Sequence, residues 1–392
     1  MRRQENTPIQ KPIYLDYHAT TPTDPRVANL ILHYMTNEFG NASSTDHEWG
    51  DRAEYAIKQA AKHLAALVGA SPREIIWTSG ATESINLAIQ GSLPSNPKKP
   101  HRIALLPLEH KAVLDTSQAL ERRGWAELIY LQVDSKGRLD LDHLKQVCME
   151  GLSLLCVMAA NNEIGNIYPI QKIARIAQHY GIPFLCDASQ AVGKIPIQFE
   201  WGITYLALSA HKLYGPKGVG ALVVRRGYHL EPLLFGGGHQ KGMRSGTLNV
   251  PGIVGLGEAC RLRSLEMEED ERSIASKRDL LQTLLLKKLP GLVVNGDSSS
   301  RLAGNFHLSI PGIPNSAVIA RVRSQLAIST GSACSSGVEA PSHVLQSLNL
   351  PPRIIEGAIR IGIGKFTTEE EIKEAASVLS DAISGIGKVL YS

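Results

Sequence analysis

Between about residues 22 and 195 the chain changes its hydrophobic period again and again, with amphipathic stretches of helical length alternating with apolar runs of strand length. This alternation restricts the fold, because strands joined by crossover helices pair in parallel and leave helices on both faces of the sheet. Helical spacing predicts helices over 25–37, 48–68, 81–90, 111–123, 141–150 and 170–180, and strands over 74–78, 102–106, 127–131, 153–159 and 183–186. Two further apolar runs, 205–208 and 219–224, lie too close for a crossover helix, so 209–218 reads as a tight functional connection. The expectation is an α/β chain with a large, mostly parallel sheet. After Pro251 the texture becomes helix-rich to about residue 288, then gives short strands near 305–310 and 358–362. Residues 21–257 are therefore read as a large α/β domain, and 258–392 together with 1–20 as a smaller α+β domain.

Composition narrows the function classes. With 43% hydrophobic and 20% charged residues, the chain is an ordinary globular one. Its formal charge of +4 is spread along the chain, without the basic arm or stripe of a nucleic-acid binder. No apolar run reaches the roughly 18 residues that a membrane-crossing helix needs. The N-terminal residues lack the apolar core of a signal peptide and include an acidic residue, so a cytoplasmic setting is expected. Five cysteines without a CxxC pair encode neither a disulfide framework nor a local zinc site.

Three segments carry candidate chemistry. Ser79-Gly-Ala-Thr-Glu-Ser84 follows a strand and opens a helix, so main-chain N–H groups such as that of Ala81, with the Thr82 hydroxyl, would face an anion; an ordinary helix cap is the plainer use. Asp187 ends an apolar run at the carboxyl end of a strand, where open α/β sheets bind ligands, although a turn or cap role fits too. Lys212 lies in the tight connection 209–218. Pyridoxal phosphate needs a lysine to hold its aldehyde, an acid to keep its ring nitrogen protonated and donors for its phosphate. Lys212, Asp187, and Thr82 with Ser209 and His211 supply that set.

Other residues read more openly. Cys334 lies among small polar residues and glycines in Ser329-Thr-Gly-Ser-Ala-Cys-Ser-Ser-Gly337 and reads as an exposed loop cysteine, whereas Cys148, Cys156, Cys186 and Cys260 sit in apolar or amphipathic runs where thiols are inert. Arg360, in the alternating run Ala358-Ile-Arg-Ile-Gly362, could clamp a carboxylate or simply face solvent. His110 follows the strand 102–106 and could stack on a ring, move protons or be structural.

Taken in order, these segments resemble the cysteine desulfurases of the iron–sulfur-cluster and nitrogen-fixation type, nearly end to end. The likeness includes Tyr14-Leu-Asp-Tyr-His-Ala-Thr-Thr-Pro22, Gly40-Asn-Ala-Ser-Ser44, Glu109-His-Lys-Ala-Val113, Asn161-Asn-Glu-Ile-Gly165, Asp187-Ala-Ser-Gln190, Ser209-Ala-His-Lys212, the Gly236–Thr247 run and Ser332-Ala-Cys334. The resemblance implies an aspartate-aminotransferase-like pyridoxal-phosphate fold and a homodimer. It assigns Lys212 to the Schiff base, Asp187 to the pyridine nitrogen, His110 to ring stacking and proton transfer, Gln190 to a hydrogen bond with the cofactor phenolate, and Asn162 to the same ring edge. Thr82, Ser209 and His211 become phosphate ligands, Thr247 reaches the partner subunit's phosphate, Arg360 and Asn41 take the substrate carboxylate, and Cys334 accepts sulfur.

The implied reaction converts L-cysteine to L-alanine and leaves a persulfide on Cys334, for passage to an acceptor protein such as an iron–sulfur scaffold or into thiolation. The Cys334 loop has the longer of the two family forms. Housekeeping relatives dock their scaffold through a C-terminal tail longer than the one ending here at Ser392, so that docking is not carried over. Two alternatives keep the same cofactor residues: a C–S lyase giving pyruvate, ammonia and sulfide, which needs no loop cysteine, and a selenocysteine lyase.

Overall fold

The computed structural model describes residues 11–331 and 341–390. Its strands in chain order are β1 (Ile13–Tyr14), β2 (Ile75–Thr78), β3 (His101–Leu105), β4 (Ala126–Tyr130), β5 (Leu154–Cys156), β6 (Phe184–Asp187), β7 (Tyr205–Ser209), β8 (Gly220–Val224), β9 (Val293–Val294), β10 (Asn305–Ser309), β11 (Leu326–Ala327) and β12 (Ala358–Gly362). The helices are α1 (Pro25–Thr36), α2 (Glu48–Val68), α3 (Ala81–Ser92), α4 (Lys111–Arg122), α5 (Leu141–Met149), α6 (Ile170–His179), α7 (Val250–Lys288), α8 (Asn315–Val322), α9 (His343–Ser347), α10 (Pro352–Glu356) and α11 (Glu369–Leu390).

Seven strands form the large sheet in the order β2-β8-β7-β6-β5-β3-β4, and β8 alone runs against its neighbours. The short 209–218 connection is what reverses it, as the spacing predicts. Alternate residues of one strand enter opposite cores: Leu206 and Leu208 pack with α2 and α7 residues, Tyr205 and Ala207 with α3 and α4 residues. Both faces are thus covered, which explains why these strands read as continuous apolar runs.

On the first face, α2 buries Ala53, Ala60, Leu64 and Val68 at helical spacing and stops at Gly69, whose φ of +63° suits glycine. It packs directly on α7. A Cβ on Gly257 would stand 2.5 Å from the Ala60 Cα, so only glycine lets the two helix backbones approach this closely. The helix-rich segment expected after Pro251 is this single helix, 39 residues long. Its first part (Ile253, Leu256, Leu262) packs in the large-sheet core, and its later part (Ile274, Leu281, Leu285) packs with β10, β12 and α11 in a second core. The N-terminal segment joins that second unit through the parallel pairing of β1 with β11, then crosses toward the large sheet at residues 16–21.

Candidate active site

A cavity of about 820 Å³ opens where the carboxyl ends of β6 and β7 meet the starts of α3 and α4 and the strand β12. Asp187, Lys212, His110 and Arg360 all line it, drawn from four separate elements.

One end of the cavity is built for an anion. The chain enters α3 through Gly80, at φ +155°, without a side-chain cap, so the first-turn N–H groups, including that of Ala81, keep their hydrogen-bonding capacity. Gly220 of β8 makes the room, since a Cβ there would lie 2.6 Å from the Gly80 Cα. Thr82, Ser209 and His211 line the same cavity. Burial and the neighbouring Lys212 and Lys217 push the His211 pKa down to about 4, so its ring is neutral at pH 7 and bonds the Thr20 hydroxyl through Nδ1 at 3.1 Å. Glu83, in the first turn of α3, is occupied by Arg244 at 2.7 Å and by the Ser79 N–H at 2.6 Å.

The middle of the cavity holds an acid, an amine and an imidazole. Asp187 is buried at the last position of β6; its Oδ1 accepts from the Ser189 N–H (3.0 Å) and hydroxyl (2.5 Å), and its Oδ2 has no hydrogen-bond partner among the described residues. Lys212 Nζ donates to the main-chain oxygens of His18 (2.5 Å) and Ala19 (2.7 Å). Burial, reinforced by Lys194 and Arg360, brings the Lys212 pKa down to about 7, so about half of the amine is neutral and nucleophilic near neutrality. His110 caps α4, where its Nδ1 accepts the Ala112 N–H at 3.1 Å, leaving Nε2 as the proton-carrying atom. Enclosure in the cavity lowers its pKa, an effect that Asp187 opposes.

Arg360 reaches the cavity from the smaller sheet. All five residues of β12 are buried, so the solvent-facing alternative for Arg360 does not hold: the strand is covered on both faces. Its Nη2 bonds Asp16 Oδ1 at 2.8 Å and its Nη1 the Asn162 main-chain oxygen at 3.0 Å, while Nε has no partner among the described residues. Asn162 and Gln190 also line the cavity. Asn41 and Thr247 do not; both are exposed, Asn41 before α2 with its Oδ1 on the Ser43 N–H, and Thr247 before α7. Cys334 lies outside the described residues, but Gly331 and Pro341 on either side of its segment are both in the cavity wall.

Sequence reasoning on single residues missed Asp16, His18, Lys217, Glu163 and Ser342 in this wall. Asp16 and His18 sit in a stretch with no helical or strand period, and the β1–β11 pairing together with the bridge from Asp16 to Gly362 of β12 carries them to the cavity. In the sequence they stand out only within the run Tyr14–Pro22 that carries the family likeness.

Comparison with known proteins follows the same lines. The profile of the family described as Aminotransferase class-V matches residues 13–374. The chain is 44% identical, over 375 residues, to a protein named cysteine desulfurase IscS from Anaeromyxobacter sp. (strain K), covering 95% of this chain and 92% of that one. It is 43% identical to a protein of the same name from Ehrlichia chaffeensis (strain ATCC CRL-10679 / Arkansas), covering 97% and 93%. Among solved structures, a NifS-like protein superposes with a TM-score of 0.89 at 34% identity, covering 96% of this chain and all of that one. The chain belongs to the class-V aminotransferase family and, within it, to the cysteine desulfurases.

Proposed function

We propose that this chain is a pyridoxal-phosphate-dependent cysteine desulfurase that converts L-cysteine to L-alanine and passes the sulfur to Cys334 as a persulfide. The observation that carries this reading is the convergence of Lys212, Asp187, His110 and Arg360 on one cavity whose wall also contains both residues flanking the Cys334 segment. The donor set fits the cofactor: an uncapped helix start with Thr82, Ser209 and His211 for the phosphate, the Asp187 Oδ2, without a hydrogen-bond partner among the described residues, for the ring nitrogen, His110 for the ring face, and Gln190 with Asn162 for its edge.

Bound pyridoxal phosphate supplies an electron sink for bonds to the substrate α-carbon. Lys212 would hold the cofactor aldehyde, and its neutral Nζ would take the substrate α-proton. Asp187 would face the ring nitrogen as its counter-charge and favour its protonated form. Arg360, set by Asp16 and Asn162, receives the substrate carboxylate. His110 holds a transferable proton at Nε2 for the substrate sulfur. The Cys334 thiolate forms the new S–S bond as the substrate C–S bond breaks; the C–S electron pair stays with the carbon skeleton, which takes up a proton and leaves as alanine.

The Lys212 amine sets a pH dependence for loading. Its pKa in the fold is lowered to about 7, so the reactive neutral form grows as pH rises through 7. Apoprotein mixed with pyridoxal phosphate is expected to form the bound chromophore about tenfold faster at pH 8 than at pH 6, with little gain above pH 8. A rate still climbing about tenfold per pH unit between pH 7 and 9 would mean an ordinary lysine.

Thr247 is exposed and outside this cavity, and we read it as a contact to the cofactor phosphate of a second subunit in a homodimer. Among the described residues no helix is long and apolar enough to cross a membrane, and the four described cysteines are unpaired, which supports the cytoplasmic setting. The sulfur leaves for an acceptor protein, of which an iron–sulfur scaffold is one. With L-cysteine and a thiol reductant, the purified holoenzyme is expected to give alanine and sulfide in equal amounts. Pyruvate and ammonia in place of alanine would instead mean a C–S lyase.

A further inference from the structure

We propose that Lys194 and His18 are positioning residues that clamp the carbonyl of the Gln190 amide on the protein side, so that one amide N–H is held out for an anionic oxygen of the molecule bound in the cavity. The inference rests on the reading of this cavity as the pyridoxal-phosphate site and concerns how one of its donors is fixed.

Gln190 is buried and lines the cavity. Its Oε1 accepts from Lys194 Nζ at 2.9 Å and meets His18 Nδ1 at 3.3 Å, while its Nε2 donates to the His18 main-chain oxygen at 2.8 Å. A lysine amine opposite the amide acts here as a donor, and a main-chain carbonyl only accepts. The reverse amide orientation would set N–H against N–H and oxygen against oxygen, so the chemistry of the neighbours selects one orientation. Both lone pairs of Oε1 are then in use. One hydrogen on Nε2 is spent on His18, and the second has no acceptor among the described residues.

The same bonds define His18. Because Oε1 can only accept, His18 Nδ1 carries the proton, and the buried Nε2 is the bare nitrogen, with no partner among the described residues. Burial, with Lys194 and Arg360 nearby, keeps this ring neutral. The main-chain oxygen of His18 also accepts from Lys212 Nζ, so the amide and the reactive amine are both referenced to one carbonyl. Lys194 has its ammonium end enclosed beside Arg263, Arg360 and Glu271, and burial lowers its pKa to about 8. Enclosing a lysine is unfavourable unless its donors are used. An amine donates with or without its extra proton, so the clamp persists across neutral pH. The free N–H suits the ring phenolate, the anionic oxygen that pyridoxal phosphate would bring to the edge assigned to Gln190.

The test compares native protein, Gln190→Leu, Lys194→Met, Lys194→Arg and His18→Ser as holoenzymes. The readouts are the balance between the long-wavelength phenolate band and the short-wavelength protonated band at fixed pH, the affinity for pyridoxal phosphate, and the unfolding temperature of each apoprotein. Gln190→Leu should move the spectrum toward the protonated band. Lys194→Met should move it the same way and weaken cofactor binding about tenfold, the worth of one charge-assisted hydrogen bond, and Lys194→Arg should restore most of both. His18→Ser, which removes the second donor to the same oxygen, should give a smaller shift and serves as the readout if Lys194→Met does not fold. A shift in Gln190→Leu with native spectra in both clamp variants would overturn the proposal, whatever happens to the unfolding temperature. An unshifted Gln190→Leu spectrum would overturn it as well. A native protein that forms no cofactor band at all would defeat the reading of the cavity itself.

Discussion

Lys212→Ala is expected to lower alanine formation from L-cysteine by about 10⁴-fold or more, because one substitution removes both the cofactor anchor and the base that takes the α-proton. Lys212 is held against the main-chain oxygens of His18 and Ala19 at the end of β7, and its low pKa depends on that enclosure beside Lys194 and Arg360. Lys194, the other enclosed lysine of this region, is directed to Gln190 Oε1. Borohydride reduction of the native holoenzyme followed by peptide mapping should place the cofactor on the Lys212 peptide. Trapping at another lysine, or a variant retaining more than a hundredth of native activity, would contradict the assignment.

Asp187→Asn is the second large effect, with an expected fall of about 10²–10⁴-fold in kcat and a smaller loss of cofactor affinity. Ser189 holds Oδ1 through two hydrogen bonds, which aims the carboxylate and leaves Oδ2 uncommitted among the described residues. An amide preserves the shape but carries no negative charge, so a ring nitrogen opposite it loses the counter-charge that keeps it protonated. The phosphate end is untouched by this change, which is why binding should suffer less than turnover. A variant within about tenfold of native kcat would remove Asp187 from the reaction.

What could be read in the sequence follows physical locality. Asp187 and Lys212 were legible because each sits at the end of an apolar run, where the chain leaves the sheet, and the short span between β7 and β8 marked a special connection. The start of α3 was legible for a similar reason, since strand, glycine and helix follow one another within six residues. Arg360 was ambiguous because alternation along β12 suggests a half-exposed strand, and only the packing of β12 beside β10 and under the N-terminal segment buries it. Asp16 and His18 were silent as single residues. They reach the site through the pairing of β1 with β11 and the bridge from Asp16 to Gly362, both between positions more than three hundred apart, and such contacts leave no periodic trace. The Lys194–Gln190–His18 arrangement combines both cases: the four-residue spacing from Gln190 to Lys194 is local, while His18 arrives from the other end of the chain.

Sulfur leaves cysteine through Cys334, and a single-turnover mass measurement reads that transfer at the thiol. Native holoenzyme and Cys334→Ala would each receive L-cysteine without reductant, with peptide mass and released products read together. The native Cys334 peptide should gain one sulfur atom, matched by an equal amount of alanine, and the variant should show neither. Pyruvate and ammonia formed equally by both proteins, with Cys334 unmodified, would contradict it and make this chain a C–S lyase.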